Sequence, residues 1–280
     1  MTYSLVARDP ATGELGVGVQ SRSFGTGAAV PWAAPGIGAV ATQSFTLRSY
    51  GPLALELLSG GESPAAALAR LTAADDLHDF RQVAVVDSTG ATAVHTGDAC
   101  IPAAASVGGE GFSAQGNMLR STAVVDALAE AFSAAAGTLA ERLLAGLEGA
   151  ERAGGDFRGR EAGGILVVGG EATEESRFDR IVDLRVDNHA DPLGELRRLL
   201  DHSSALHRLR RASPEDVETL YDDALSAGVD EDVARWVAAV GLLDEDPERA
   251  ETLLAPLAAA DERWRIALSA AADAAAQTRA

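Results

Sequence analysis

TYSLVARDPATGELGVGVQS, residues 2–21, is the stretch that decides the fold. Tyr3 to Arg8 alternate loosely, and Asp9, Pro10, Thr12 and Gly13 then supply turn chemistry. Leu15, Val17 and Val19 resume a strict period of two. The pattern predicts a β-hairpin beginning at the second residue of the chain. In an antiparallel pair the start of one strand lies beside the end of the other, so Gln20, Ser21 and Arg22 are expected next to Thr2.

Working outward, Gly36 to Ser44 is apolar and β-branched enough for a strand ending in Thr42, Gln43 and Ser44. Two helices follow, from Gly51 to Ser59 and from Ser63, an N-cap with Pro64 at the first helical position. Gln82–Asp87 and Ala91–Thr96 read as a second hairpin, and Gly111–Gln115 as a further strand. A helical pair at Asn117–Phe132 and Thr138–Arg152 precedes strands at Gly164–Val168 and Ile181–Val186. Helices are expected at Pro192–Arg210, Pro214–Ala227, Glu231–Leu242, Pro247–Ala258 and Glu262–Ala276. Blocks of strands and helices without strict βαβ alternation predict an α+β layered fold with antiparallel sheets. A domain of residues 2–212 is expected to precede a helical domain of residues 213–280, with Ser213 and Pro214 as N-cap and N1.

Composition narrows the functional classes. The chain has 280 residues, 47% of them hydrophobic, enough for one large core and a smaller one. A formal net charge of −19 repels phosphate backbones and anionic membrane surfaces, so neither nucleic acid nor membrane is expected as a partner. The single cysteine excludes an intramolecular disulfide framework, and no signal sequence or membrane span is legible. A cytoplasmic location is expected.

Thr2 is the most informative position. A residue this small after Met normally permits removal of the initiator. The exposed α-amine, with an unperturbed pKa of about 7.7–8.0, can then act as general base for the hydroxyl of the same residue. The same residue type follows Met1 in many proteins with no such role, so the surrounding strand ends carry the argument. Gln20, Ser21, Gln43 and Ser44 are candidate substrate-binding residues at that edge. Gln115, Gly116 and Asn117 read as a strand running into a helix start, where Asn117 caps the helix or stabilises an oxyanion and Gln115 reaches the site. His95 and Cys100 lack the partners of a Cys–His nucleophile. The remaining histidines form no zinc pattern, and the glycines form no dinucleotide fingerprint.

The motifs TYSLVARDPATGELGVGVQS, GAVATQSF, SYGPLALELL, RQVAVVDSTG, HTGDACIP, QGNML and RGR, in this order, resemble the DUF1028 family, a branch of the N-terminal-nucleophile (Ntn) hydrolase superfamily. The resemblance spans roughly residues 2 to 210. It implies a four-layer αββα sandwich like that of proteasome subunits, hydrolysis of an amide or related C–N bond, and Thr2 as nucleophile. It also implies pairing of copies, with a homodimer favoured. Two departures from the family pattern are visible. Ala103–Ser106 stands where an aromatic residue and a His are expected, and Glu161–Ala162 stands where Gln-Ser is expected.

Together these readings predict an Ntn-type amidohydrolase acting on a small molecule or peptide, with Thr2 and Asn117 catalytic and without metal or organic cofactor. A second reading is a catalytically silent Ntn-fold scaffold that binds a ligand or protein through its pocket or its helical C-terminal segment.

Overall fold

The computed structural model describes residues 2–172 and 180–278; Met1, whose removal the N-terminal reading invokes, lies outside them. The expected hairpin is present as β1 (Thr2–Arg8) and β2 (Leu15–Ser21), in register from Thr2 opposite Ser21 to Arg8 opposite Leu15. Its turn is closed by the Asp9 carboxylate, which accepts the N–H groups of Ala11 and Thr12 at 2.8 and 3.1 Å, and by Gly13 at φ 76°.

Next come β3 (Pro31–Ala34), β4 (Gly38–Ser44), α1 (Tyr50–Ser59) and α2 (Pro64–Ala73), then β5 (Arg81–Asp87), β6 (Thr92–Thr96), β7 (Ala105–Gly109) and β8 (Phe112–Asn117). Helices α3 (Ala123–Ala134) and α4 (Leu139–Arg152) precede β9 (Ala162–Val168) and β10 (Arg180–Val186). The chain continues through α5 (Pro192–Arg210), α6 (Val217–Ser226), α7 (Glu231–Leu242), α8 (Pro247–Ala260) and α9 (Arg263–Thr278). Both the Ser63 cap on α2 and the Thr138–Glu141 capping box on α4 are formed.

The architecture is mixed α/β with two antiparallel sheets. One has the strand order β10-β9-β2-β1-β8-β7, the other β3-β4-β5-β6. Period two sorts the hairpin side chains onto two faces. Val6, Leu15, Val17 and Val19 pack with Ala39 and Ala41 of β4 and with Ala84 and Val86 of β5, so the two sheets share an apolar interior. The other face of the hairpin meets α4. A Cβ on Gly16 would lie 2.8 Å from Leu143 Cδ1, and one on Gly18 would touch both Leu143 and Leu147, so these glycines let the helix lie close on the strand. On the second sheet, Val40, Val83 and Val85 turn away from the first and pack with Tyr50, Ala54 and Leu58 of α1 and Leu68 of α2.

The chain divides into two compact units, Met1–Arg197 and Arg198–Ala280, so the division falls inside α5, ahead of the Ala212–Ser213 position read from sequence. Ala205, Leu209 and Ala212 belong to the core of the helical unit, together with Leu242, Leu254 and Leu257. Helix α6 starts later than the Ser213–Pro214 signal suggests: its N-cap is Asp216, and Ser213 Oγ instead donates to Asp216 Oδ1 at 3.0 Å. Among the described residues, no helix is long and apolar enough to cross a membrane.

Candidate functional site

Thr2 opens β1 with Ser21 directly opposite on β2 and Asn117 directly opposite on β8. Directly opposed residues share a face of the sheet, so three polar side chains stand together at one end of the face turned toward the second sheet. Thr2 Oγ1 donates to Ser21 Oγ at 3.1 Å, and that oxygen also accepts the Ser23 N–H at 3.1 Å. The Thr2 carbonyl accepts from Gln43 Nε2 at 3.2 Å, so hydroxyl and main chain are both held.

Behind Thr2 lies a network of buried amides. Gln43 Oε1 accepts from Ser4 Oγ at 2.7 Å, and Gln43 Nε2 also donates to Gln82 Oε1 at 2.7 Å. Gln82 Oε1 accepts a second bond from Asn117 Nδ2 at 3.0 Å, while Gln82 Nε2 reaches Gly116 O, Thr96 Oγ1 and Ala105 O at 2.9, 3.1 and 3.2 Å. Gln115 Nε2 donates to Ser4 Oγ at 3.3 Å and to Ala41 O at 3.0 Å. Ser4, Gln43, Gln82 and Gln115 are completely buried. Burying an amide without partners costs roughly 1–3 kcal/mol by mutational measures, which is why these groups bond one another across the two sheets; Gln115 Oε1 is the exception, with no partner among the described residues.

Of the residues expected at this edge, Thr2, Ser21, Gln43, Gln115 and Asn117 are brought together. Gln20 is not. It stands opposite Tyr3 and therefore faces away from the second sheet, and neither end of its buried amide finds a partner among the described residues. Ser44 stands opposite Arg81 on the face of β4 turned away from Thr2, in a left-handed conformation at φ 72°. Asn117 is the last residue of β8, and the next helix begins at Ala123 after Thr122. The expected helix start at Asn117 is thus corrected, and with it any contribution of a helix N-terminus to oxyanion binding there. His95 Nε2 contacts His78 O at 2.8 Å, and Cys100 Sγ donates to Arg81 O at 3.3 Å, so each has a local structural partner. Among the described residues, no cluster of three or more His, Cys, Asp or Glu is placed to hold a metal.

Three residues of this region escaped the sequence reading. Ser4 and Gln82 sit at alternate positions on inward strand faces that turn apolar farther along, at Val6 and at Ala84 and Val86, and a polar residue in such a register is the signal that finds them. Asp156, whose carboxylate is wholly shielded, accepts Arg22 N–H at 3.1 Å and Arg158 N–H at 2.7 Å, fixing the loop that leaves β2 beside Ser21. On the opposite face, Tyr3 donates to Glu151 Oε2 at 2.7 Å. Burial, followed by the Glu151 charge, pushes its hydroxyl pKa well above the usual tyrosine value.

A family model described as "Family of unknown function (DUF1028)" matches residues 2–196. The chain belongs to the DUF1028 family. It is similar to protein SPO2555 from Silicibacter pomeroyi, a DUF1028 protein. That crystal structure is 31% identical with a TM-score of 0.66, and the match covers 72% of this chain and 89% of that one. No curated protein matches the chain. The DUF1028 segment contains the whole Thr2 cluster, and α6 to α9 lie beyond it. Both departures from the DUF1028 pattern border the cluster: Ala105 O accepts from Gln82 Nε2, Leu119 N–H reaches Ala103 O, Glu161 N–H reaches Ser21 O, and Ala162 opposes Ser21.

Proposed function

We propose that this DUF1028 protein is an Ntn-type amidohydrolase with the four-layer αββα sandwich of that superfamily, acting on an amide or related C–N bond of a small molecule or peptide. The observation that carries the reading is the setting of Thr2. The hydroxyl of Thr2 lies 3.1 Å from Ser21 Oγ, its carbonyl is held by Gln43, and Asn117 stands opposite it across the strand pair.

While Met1 is attached, the Thr2 nitrogen is a peptide nitrogen and cannot serve as a base. Once Met1 is removed, the α-amine takes the proton from Oγ1 as that oxygen bonds to the substrate carbonyl carbon. It returns the proton to the leaving nitrogen as the C–N bond breaks, and water then hydrolyses the Thr2 ester. The sequence contains no lysine, all 23 basic side chains counted as Lys or Arg being arginine, so the α-amine is the one aliphatic amine available for this task. Asn117 has a second Nδ2–H beyond the one given to Gln82, and this is the donor assigned to the oxyanion. Both N–H groups of Gln43 are engaged, which makes it a positioning residue for Thr2.

The test is intact mass combined with turnover of an amide panel. The active protein is expected to begin at Thr2, and Thr2→Ala is expected to lose at least about 1,000-fold in rate. Retention of Met1 in active protein, or undiminished turnover by Thr2→Ala, contradicts the mechanism. The silent-scaffold reading draws on the low exposure of Thr2, 6%, and on its engaged hydroxyl, and it predicts no turnover of any member of the panel.

A further inference from the structure

Four of the seven phenylalanines are exposed among the described residues, namely Phe24, Phe45, Phe80 and Phe157: the first three flank the ends of β2, β4 and β5, strands of the Thr2 cluster, and Phe157 lies on the segment between α4 and β9. Phe24 follows Ser21 by three residues, Phe45 follows Gln43 by two, and Phe80 precedes Gln82 by two. Phe157 N–H reaches the carbonyl of Met118, the residue after Asn117, and the N–H of Met118 bonds to the carbonyl of Ile101, itself exposed. Phe45 and Phe80 meet edge to face with ring centroids 5.5 Å apart, so β4 and β5 end in one aromatic pair. The other two described phenylalanines, Phe112 and Phe132, are buried against each other at 5.0 Å. Exposed aromatic side chains distributed around a buried polar cluster are the composition of a ligand site: apolar walls with a few placed polar groups.

We infer that Phe24, Phe45, Phe80, Ile101 and Phe157 form an apolar rim around the Thr2 site, and that the site takes an amide bearing an apolar group of aromatic size beside the scissile bond. This rests on Thr2 as the reacting centre. The rim supplies selectivity, and the polar cluster supplies orientation.

The experiment separates binding from chemistry. Ligand-observed NMR titration of 4-phenylbutyramide and of acetamide reads the rim alone, while mass spectrometry of the protein after 4-nitrophenyl 4-phenylbutyrate reads acylation of Thr2. The wild-type chain is expected to bind 4-phenylbutyramide at least about tenfold more tightly than acetamide. The double variants Phe45→Ala/Phe80→Ala and Phe24→Ala/Phe157→Ala are each expected to bring that ratio down severalfold with the chain still folded, since all four rings are exposed; only the first is expected to lower the melting temperature, slightly, through the lost ring contact. Equal binding of the two amides by the wild type overturns the inference. So does a ratio unchanged in both double variants, including the case where those variants alter only the oligomeric state in sedimentation, which would make the rim a contact between copies. Selective binding without acylation of residue 2 supports the rim and removes the Thr2 mechanism, so the two failures are distinguishable.

Discussion

The space between the two sheets has two halves built by the same strands, and they differ in kind. Toward one end Val6, Leu15, Val17, Ala39, Ala41, Ala84 and Val86 form an apolar core, with Ser113, opposite Val6, as the one buried polar residue among those described on that part of the strand faces. Toward the other, the same inward faces carry Thr2, Ser4, Ser21, Gln43, Gln82, Gln115 and Asn117, all buried; Thr2 bonds Ser21, and the remaining five are cross-linked by their side chains. The apolar half needs nothing but shape and volume. The polar half offsets the desolvation of these seven side chains by hydrogen bonds among them, and a core made only for stability has no use for that arrangement. The helical unit sharpens the contrast: none of its described residues is a buried polar or charged one. Among the described residues, polar burial is therefore concentrated where Thr2 sits.

The largest effect expected from breaking this contrast comes from Gln82, the hub. Gln82→Ala orphans the bonds from Gln43 and Asn117 and removes those to Thr96, Ala105 and Gly116, and is expected to cost about 3–5 kcal/mol in chemical denaturation. It is also expected to depress turnover, because Gln43 and Asn117 both touch or flank Thr2. If Gln82→Leu were as stable and as active as the wild type, the polar half would be ordinary core.

In the apolar half, Leu15→Ala is expected to cost about 3 kcal/mol with turnover per folded molecule unchanged, since only a cavity is made there. Loss of catalytic rate in that variant, measured well below its melting temperature, would erase the distinction between the halves. A smaller effect of opposite sign is expected at Gln20. Gln20→Met replaces an unpartnered buried amide by an apolar side chain of similar volume and is expected to stabilise by about 1 kcal/mol without touching activity. A large loss of activity would place Gln20 in the site after all.

The smallest effect expected is at Asp75, outside the buried cluster, where the hydrogen bond and charge of Arg81 hold the carboxyl pKa below its usual value. A lowered folded-state pKa means that the unfolded chain binds the proton more readily. The contribution to stability is therefore present above the unfolded value, near 4, and is lost as pH falls through the folded value. Asp75→Asn is expected to make the acid limb of the stability–pH curve shallower and to leave the turnover profile unchanged.

Much of the fold is legible in the residues themselves. The period of two in Leu15, Val17 and Val19 with the Asp9–Gly13 turn announces the hairpin, and Ser63 and Thr138 announce their helices. Strands β3 and β7 are not legible: Pro31–Ala34 is four residues long and begins with proline, and Ala105–Gly109 is small and glycine-ended, so neither carries a period. The site was legible in its centre but not in its faces. Gln20 and Ser21, like Gln43 and Ser44, are neighbours in sequence, and a strand sends neighbours to opposite sides, so only one of each pair reaches the cluster. Gln82 stayed hidden because its partners come from β4, β6, β7 and β8, and no local pattern brings those strands together.

The proposed hydrolysis stands or falls with Thr2, freed of Met1, as a nucleophile. The decisive experiment treats the wild-type protein and Thr2→Ala with a hydroxyl-directed electrophile such as a β-lactone and follows the products by intact mass and peptide mapping. One adduct per chain is expected, on the Thr2 hydroxyl of a chain that begins at Thr2, and none in Thr2→Ala. No selective adduct on the wild type, or equal labelling of Thr2→Ala, would contradict it.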